Sequence, residues 1–160
     1  MKKKNYLHLL AIMLVTMLSV CFISCEEDSV EDPEGTISVG MRNYNNGFSY
    51  LYIFGTSNDD YYVYINRADN FETWDHYMEI ADVGKVKGLG AIKNIPASGW
   101  TDEVSVIPGH GYVTRAINGP YKGQYARIYV ERYMTTTGDL IIGADVKYQA
   151  PWNPSTSSEE

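Results

Sequence analysis

Cysteine is nearly missing from this chain. Of 160 residues only Cys21 and Cys25 carry a thiol, so nothing beyond residue 25 can close a disulfide or offer zinc a thiolate. Basic charge is also scarce, with 13 lysines and arginines against 20 acidic residues and a net charge of −7. A nucleic-acid partner needs a basic surface to neutralise phosphates, so that class is excluded. No segment holds a 3.6-residue apolar period long enough for an amphipathic helix. There is no Gly-x-Ser-x-Gly elbow, and Gly88-Leu89-Gly90 lacks the third glycine and the helix that dinucleotide binding requires. No cofactor is expected.

The N-terminus is rich where the rest is poor. Lys2, Lys3 and Lys4 precede an uncharged run from Leu9 to Ser24 made largely of Leu, Ile, Met and Val. A charged start followed by an apolar stretch marks a secretory signal, the lysines staying cytoplasmic while the apolar run enters the bilayer. The run is marginally long enough for an uncleaved anchor, but the residues just after it argue for cleavage. Phe22-Ile23-Ser24-Cys25 resembles the lipobox of bacterial lipoproteins, which implies acylation of Cys25 and cleavage before it. Leu18-Ser19-Val20-Cys21 is the alternative, with β-branched Val20 a poorer fit than Ser24 next to the cut. The expected division is residues 1–24 as signal, 25–34 as acidic tether, 35–150 as a β-rich domain and 151–160 as a polar tail.

Loss of three lysines with the signal would leave ten basic residues against 20 acidic ones, a net charge of −10. The run Glu26-Glu27-Asp28, with Glu31, Asp32 and Glu34, resembles the acidic tract behind the lipidated cysteine of surface-exported Bacteroides-type lipoproteins. Like charges there repel and favour an extended spacer. An outer-membrane lipoprotein is therefore expected, exposed at the surface or facing the periplasm, its partner the membrane through a lipid anchor. About 125 residues remain after the tether, enough for one domain with its own core.

Within that domain the period is two. Ile37, Val39 and Met41 alternate with polar neighbours, and Asn43–Gly47 suits a hairpin turn. Phe48, Tyr50, Tyr52 and Phe54 share a face opposite Leu51 and Ile53; a turn at 56–60 leads into 61–65. Ala68 to Trp74 is read as a helical turn, and 77–83 and 86–95 as weaker strands. Val104 to Ile107 is short and apolar, and Pro108-Gly109 turns the chain into 112–117. Ala126, Ile128, Val130 and Met134 oppose Tyr125, Arg127, Tyr129, Glu131 and Tyr133; Thr137-Gly138-Asp139 then returns the chain through Leu140, Ile142, Ala144, Val146 and Tyr148. Short strands at this spacing predict an all-β fold, a single small antiparallel sandwich or barrel with short loops.

Five segments carry a wider resemblance: Gly35-Thr36-Ile37-Ser38-Val39, Ile95-Pro96-Ala97-Ser98-Gly99-Trp100, Pro108-Gly109-His110-Gly111-Tyr112-Val113, Ala126-Arg127-Ile128-Tyr129-Val130 and Ile142-Gly143-Ala144-Asp145-Val146-Lys147-Tyr148-Gln149. Together they resemble an uncharacterised family of small lipoproteins from Bacteroides-type bacteria. The resemblance implies an envelope lipoprotein and carries over no catalytic residue.

Candidate chemistry is sparse. His110 between two glycines, with Ser105 and Asp102, would sketch a small hydrolase, but a histidine bonding a backbone carbonyl in a tight turn explains it better. The adjacent Asp75-His76 pair is weaker still, since neighbouring side chains diverge. Asn58, Asp59, Asp60, Asp69 and Asn70 offer calcium hard donors without EF-hand spacing, and Asx residues favour turns on their own account; no metal is expected. What stands out is tyrosine, 14 residues beside Trp74, Trp100 and Trp152. Tyrosine suits strands, its ring on the pleat and its hydroxyl wet. Two aromatic faces of one sheet cannot both be core unless both are covered, so an uncovered row would be a binding platform. The sequence thus predicts a non-enzymatic, lipid-anchored module binding a glycan or another envelope protein through Trp74, Trp100, Tyr62 and Tyr64. The alternatives are the His110 hydrolase and a structural subunit of an envelope complex.

Overall fold

Alternation and turn chemistry together produce nine strands among the described residues. The computed structural model describes residues 30–56, 59–74 and 76–154; Cys25 and its lipobox, Asn58 and Asp75 lie outside them. In chain order the strands are β1 (Ile37–Arg42), β2 (Leu51–Tyr52), β3 (Tyr62–Ile65), β4 (Asn70–Thr73), β5 (Met78–Lys85), β6 (Glu103–Ser105), β7 (His110–Ala116), β8 (Tyr125–Thr135) and β9 (Ile141–Trp152). They form two antiparallel sheets, one ordered β1-β9-β8-β7-β5 and the other β2-β3-β4-β6. Neither sheet closes on itself, so of the two expected architectures this is the sandwich.

The core follows directly from the period of two. Leu51, Val63, Ile65 and Phe71 point inward from the smaller sheet, and meet Met41, Ile80, Tyr112, Ile128, Val130 and Val146 from the larger. Each such side chain fully removed from water contributes about 1.5–3 kcal/mol. Phe71 and Tyr112 meet edge to face across the sheets at 5.1 Å. The Tyr112 hydroxyl stays satisfied in the core, donating to the Ser105 carbonyl and accepting from the Ile107 N–H, both at 2.8 Å.

Four expectations require correction. The 68–74 segment is not helical: Asn66 accepts from the N–H groups of Ala68 and Asn70, and Asp69 takes φ +58°, reversing the chain into β4. The Asn43–Gly47 turn is not a hairpin, because β1 pairs with β9 and β2 with β3. It is a 3-10 turn over Tyr44–Asn46, ended by Gly47 at φ +75°, that carries the chain between sheets. Phe54 leaves its expected face: Ile53 and Phe54 both donate to the Tyr61 carbonyl, which breaks the alternation and buries Phe54 on Tyr121.

Nor is 86–95 a strand. Gly88 at φ +141° starts a 3-10 turn over Leu89–Ala91, and the segment lies across the outer face of the larger sheet. There Leu89 and Ile92 form a second core with Val113 and Trp152, with Val86, Ile95 and Trp100 packed beside it. This flap buries a face that would otherwise stay wet.

The strongest expectation holds up to Val130 on β8 and from Ala144 on β9; past a register shift between Val130 and Arg132, Tyr133 rather than Met134 packs on the core, and Leu140 is exposed ahead of β9. β8 and β9 pair along their length around the 137–139 turn, with Asp139 at φ +59°. Ala126, Ile128, Val130, Ala144 and Val146 all lie in the core.

Candidate functional site

Among the described residues nothing covers the outer face of the smaller sheet, and that face is aromatic. In the smaller sheet the residues between the buried ones point outward: Tyr52 on β2, Tyr62 and Tyr64 on β3, Glu72 on β4 and Glu103 on β6. Pairing sets them side by side, Tyr52 opposite Tyr62, Tyr64 opposite Glu72, and Glu72 opposite Glu103. The 3-10 turn and the chain leading to β2 add Tyr44, Phe48 and Tyr50; the end of β4 adds Trp74.

The rings touch in sequence. Tyr44 stacks on Phe48 at 4.8 Å, Phe48 meets Tyr50 edge to face at 4.9 Å, and Tyr50 meets Tyr62 at 4.5 Å. Tyr62 then meets Trp74 at 6.0 Å and 85°. Tyr44, Tyr50 and Trp74 are each 41% exposed, which is unusual for large rings gathered in one place. At one end the Arg67 guanidinium lies 4.5 Å over the Tyr44 ring.

Polar groups border this row. A hollow of about 360 Å³ is lined by Tyr62, Tyr64, Glu72, Thr73, Trp74 and Asp102. Beside it a second hollow, of about 300 Å³, is lined by Tyr44, Tyr64, Asn66, Arg67 and Glu72 among others. Asn66 Nδ2 donates to both Glu72 (2.9 Å) and Glu103 (2.8 Å), and Asn70 Nδ2 donates to Glu103 (2.7 Å). These amides hold the Glu103 carboxyl below its ordinary pKa. Burial, with the neighbouring Tyr50 phenol and the Asp60 charge, pushes Tyr62 up to about 12. Tyr64 is raised too, by burial and by the hydrogen bond it gives Glu72. At neutral pH both phenols are therefore uncharged.

Of the residues singled out from sequence, Tyr62, Tyr64 and Trp74 come together here and Trp100 does not. Trp100 packs under the flap on the other sheet, with its Nε1 donating to the Pro96 carbonyl at 3.2 Å and the Arg115 guanidinium 4.2 Å over its ring. It serves as packing. Sequence reasoning missed Glu72, Glu103, Asn66 and Arg67, although alternation around Phe71 and Val104 would have put both glutamates on the outer face.

His110 is placed differently from either sequence reading. Its Nδ1 meets the Asp82 carboxylate at 3.0 Å, not a backbone carbonyl and not Asp102. Among the described residues no hydroxyl or thiol is hydrogen-bonded to its other ring nitrogen. Two of the loop carboxylates are already engaged: Asp59 accepts from the Thr56 N–H and hydroxyl, and Asp69 accepts from Asn43 Nδ2. Among the described residues no three His, Cys, Asp or Glu side chains gather as a metal site would require, and no helix is long and apolar enough to cross a membrane.

No curated protein matches the chain. A crystal structure of a candidate lipoprotein from Bacteroides fragilis is similar at 11% identity, with 79% of this chain and 95% of that one covered and a TM-score of 0.45. The family model described as a domain of unknown function, DUF5036, matches residues 38–157, from the second residue of β1 to beyond the end of β9. By that match the chain belongs to the DUF5036 family.

Proposed function

We propose that the protein is a non-enzymatic carbohydrate-binding module, held at the outer membrane through lipid on Cys25 and displayed at the cell surface. The observation that carries the binding role is the uncovered ring row from Tyr44 through Phe48, Tyr50 and Tyr62 to Trp74, bordered by Glu72, Asp102 and Asn66. A sugar ring presents C–H bonds on one face and hydroxyls around its edge. The C–H face packs on the negative face of an aromatic ring, and carboxylates and amides take the hydroxyls. A row of rings with acceptors along its border offers both at once. The acidic chain disfavours polyanions at this face, so a neutral glycan is the expected ligand.

Intrinsic tryptophan fluorescence, titrated with a panel of neutral polysaccharides, tests the binding role. Trp74 is the exposed indole on the row, so a bound glycan shifts the emission of the wild type, and Trp74→Phe removes the shift. A panel that leaves emission unchanged removes the proposal's support. Anchoring rests on the Phe22-Ile23-Ser24-Cys25 segment and is tested separately. Cys25→Ala should free the protein from the membrane fraction, whereas Cys21→Ala should not.

A further inference from the structure

On the far side of the sandwich from the aromatic row, Arg127 sits 8% exposed beneath the flap. Burying a guanidinium is costly unless an opposite charge compensates it. The other arginines with ion pairs reach acids, Arg115 to Glu79 at 2.6 Å and Arg132 to Asp145 at 2.7 Å. Among the described residues no carboxylate meets Arg127, in a chain with 20 acidic residues. Neutral acceptors hold it instead. Nη1 donates to the carbonyls of Ile92 (2.7 Å) and Leu89 (3.4 Å), while Nε and Nη2 both donate to Gln149 Oε1, at 2.9 and 2.7 Å. A guanidinium has five N–H donors, so one on Nη2 is left over.

Arg127 also lines a cleft of about 680 Å³, together with Lys93, Asn94, Gln149, Trp152 and Asn153. The volume suits a ligand of one or two rings. Among the described residues its wall carries two cations, three amides and an indole, and no acid. The Trp152 ring lies 5.2 Å from the Arg127 guanidinium carbon, which keeps the guanidinium plane in place and gives the cleft an apolar side.

We propose that this cleft binds a carboxylate borne on a ring-sized organic body, with Arg127 and Lys93 holding the carboxylate and Trp152 packing on the ring. A carboxylate suits the donors better than phosphate does: one spare guanidinium N–H and one ammonium match two oxygens and one charge. The site is independent of the aromatic row and stands whether or not that row binds a glycan.

The test follows the Arg127 Nε–H and Trp152 indole N–H signals of the nitrogen-15-labelled protein by NMR. Sodium D-glucuronate is added at constant ionic strength, with D-glucose and inorganic phosphate as comparators. Glucuronate should move both signals to saturation in the millimolar range while Trp74 stays still, and glucose should move neither. Lys93 is exposed, so Lys93→Ala keeps the fold and should weaken glucuronate about fivefold, as loss of one charge contact near a surface does. Arg127→Lys, which keeps the charge and loses the fork, should weaken it further. No saturable movement, an equal response to phosphate, or unchanged affinity in Lys93→Ala would each overturn the assignment.

Discussion

Thr114 carries a hydroxyl that the core does not use. It is fully buried on β7, and its Oγ1 has no hydrogen-bond partner among the described residues. A buried hydroxyl without a partner costs about 1–3 kcal/mol of desolvation. Thr114→Val keeps the branched shape and removes the oxygen, so the midpoint of urea unfolding should rise, by about 1 kcal/mol of stability. A lower midpoint would mean that the hydroxyl is satisfied. Gly143 sets the opposite limit. It is buried at φ +149°, and a Cβ there would run into the Met41 carbonyl on the paired strand. Neither strand can give way without losing the β1–β9 ladder. Gly143→Ala should cost about 4 kcal/mol or more, in the range reserved for steric failures in a core, and the same unfolding measurement reads it.

Among the elements, the 86–95 flap decides what the larger sheet can do. Leu89 is its deepest residue, fully buried against Val113 and Ile92. Leu89→Ala removes buried methyls and leaves a cavity, for a loss of about 2–5 kcal/mol, and limited proteolysis should then cut within the flap before the strands. Cleavage starting elsewhere would show the flap is not held by that contact. This element was the least legible in the sequence. Val86, Leu89, Ile92 and Ile95 supply a strand-like apolar content, and nothing local says that Gly88 turns the segment onto a sheet face. The β8–β9 hairpin was legible because its period of two runs for many residues on both sides of a turn that takes positive φ. The aromatic face was legible for a related reason: Tyr62 and Tyr64 flank Val63, and in a strand they must share a face. What the sequence could not supply was pairing order, which brings Glu72 and Glu103 beside the tyrosines and puts Trp100 on the other sheet.

For the whole molecule, tyrosine ties stability to alkaline pH. Burial raises the phenols of Tyr61, Tyr62, Tyr64 and Tyr112, Tyr62 to about 12. In the unfolded chain each ionises near pH 10. Above that value the unfolded state releases protons that the folded state keeps, so stability is complete below about pH 10 and falls as pH rises from 10 to 12. Absorbance near 295 nm should show these phenols ionising late, in step with unfolding; ionisation near pH 10 in the intact fold would contradict the burial. At physiological pH all four are neutral.

We propose that the outer face of the β2-β3-β4-β6 sheet is a contact surface. Isothermal titration of the neutral glycan that most shifts tryptophan emission, into wild type and into Tyr62→Ala, Trp74→Ala and His110→Ala, tests it most directly. Each aromatic variant should lose about 1.4 kcal/mol, roughly tenfold in affinity, while His110→Ala binds as the wild type does. Wild-type affinity in both aromatic variants, with all of them folded, would contradict it.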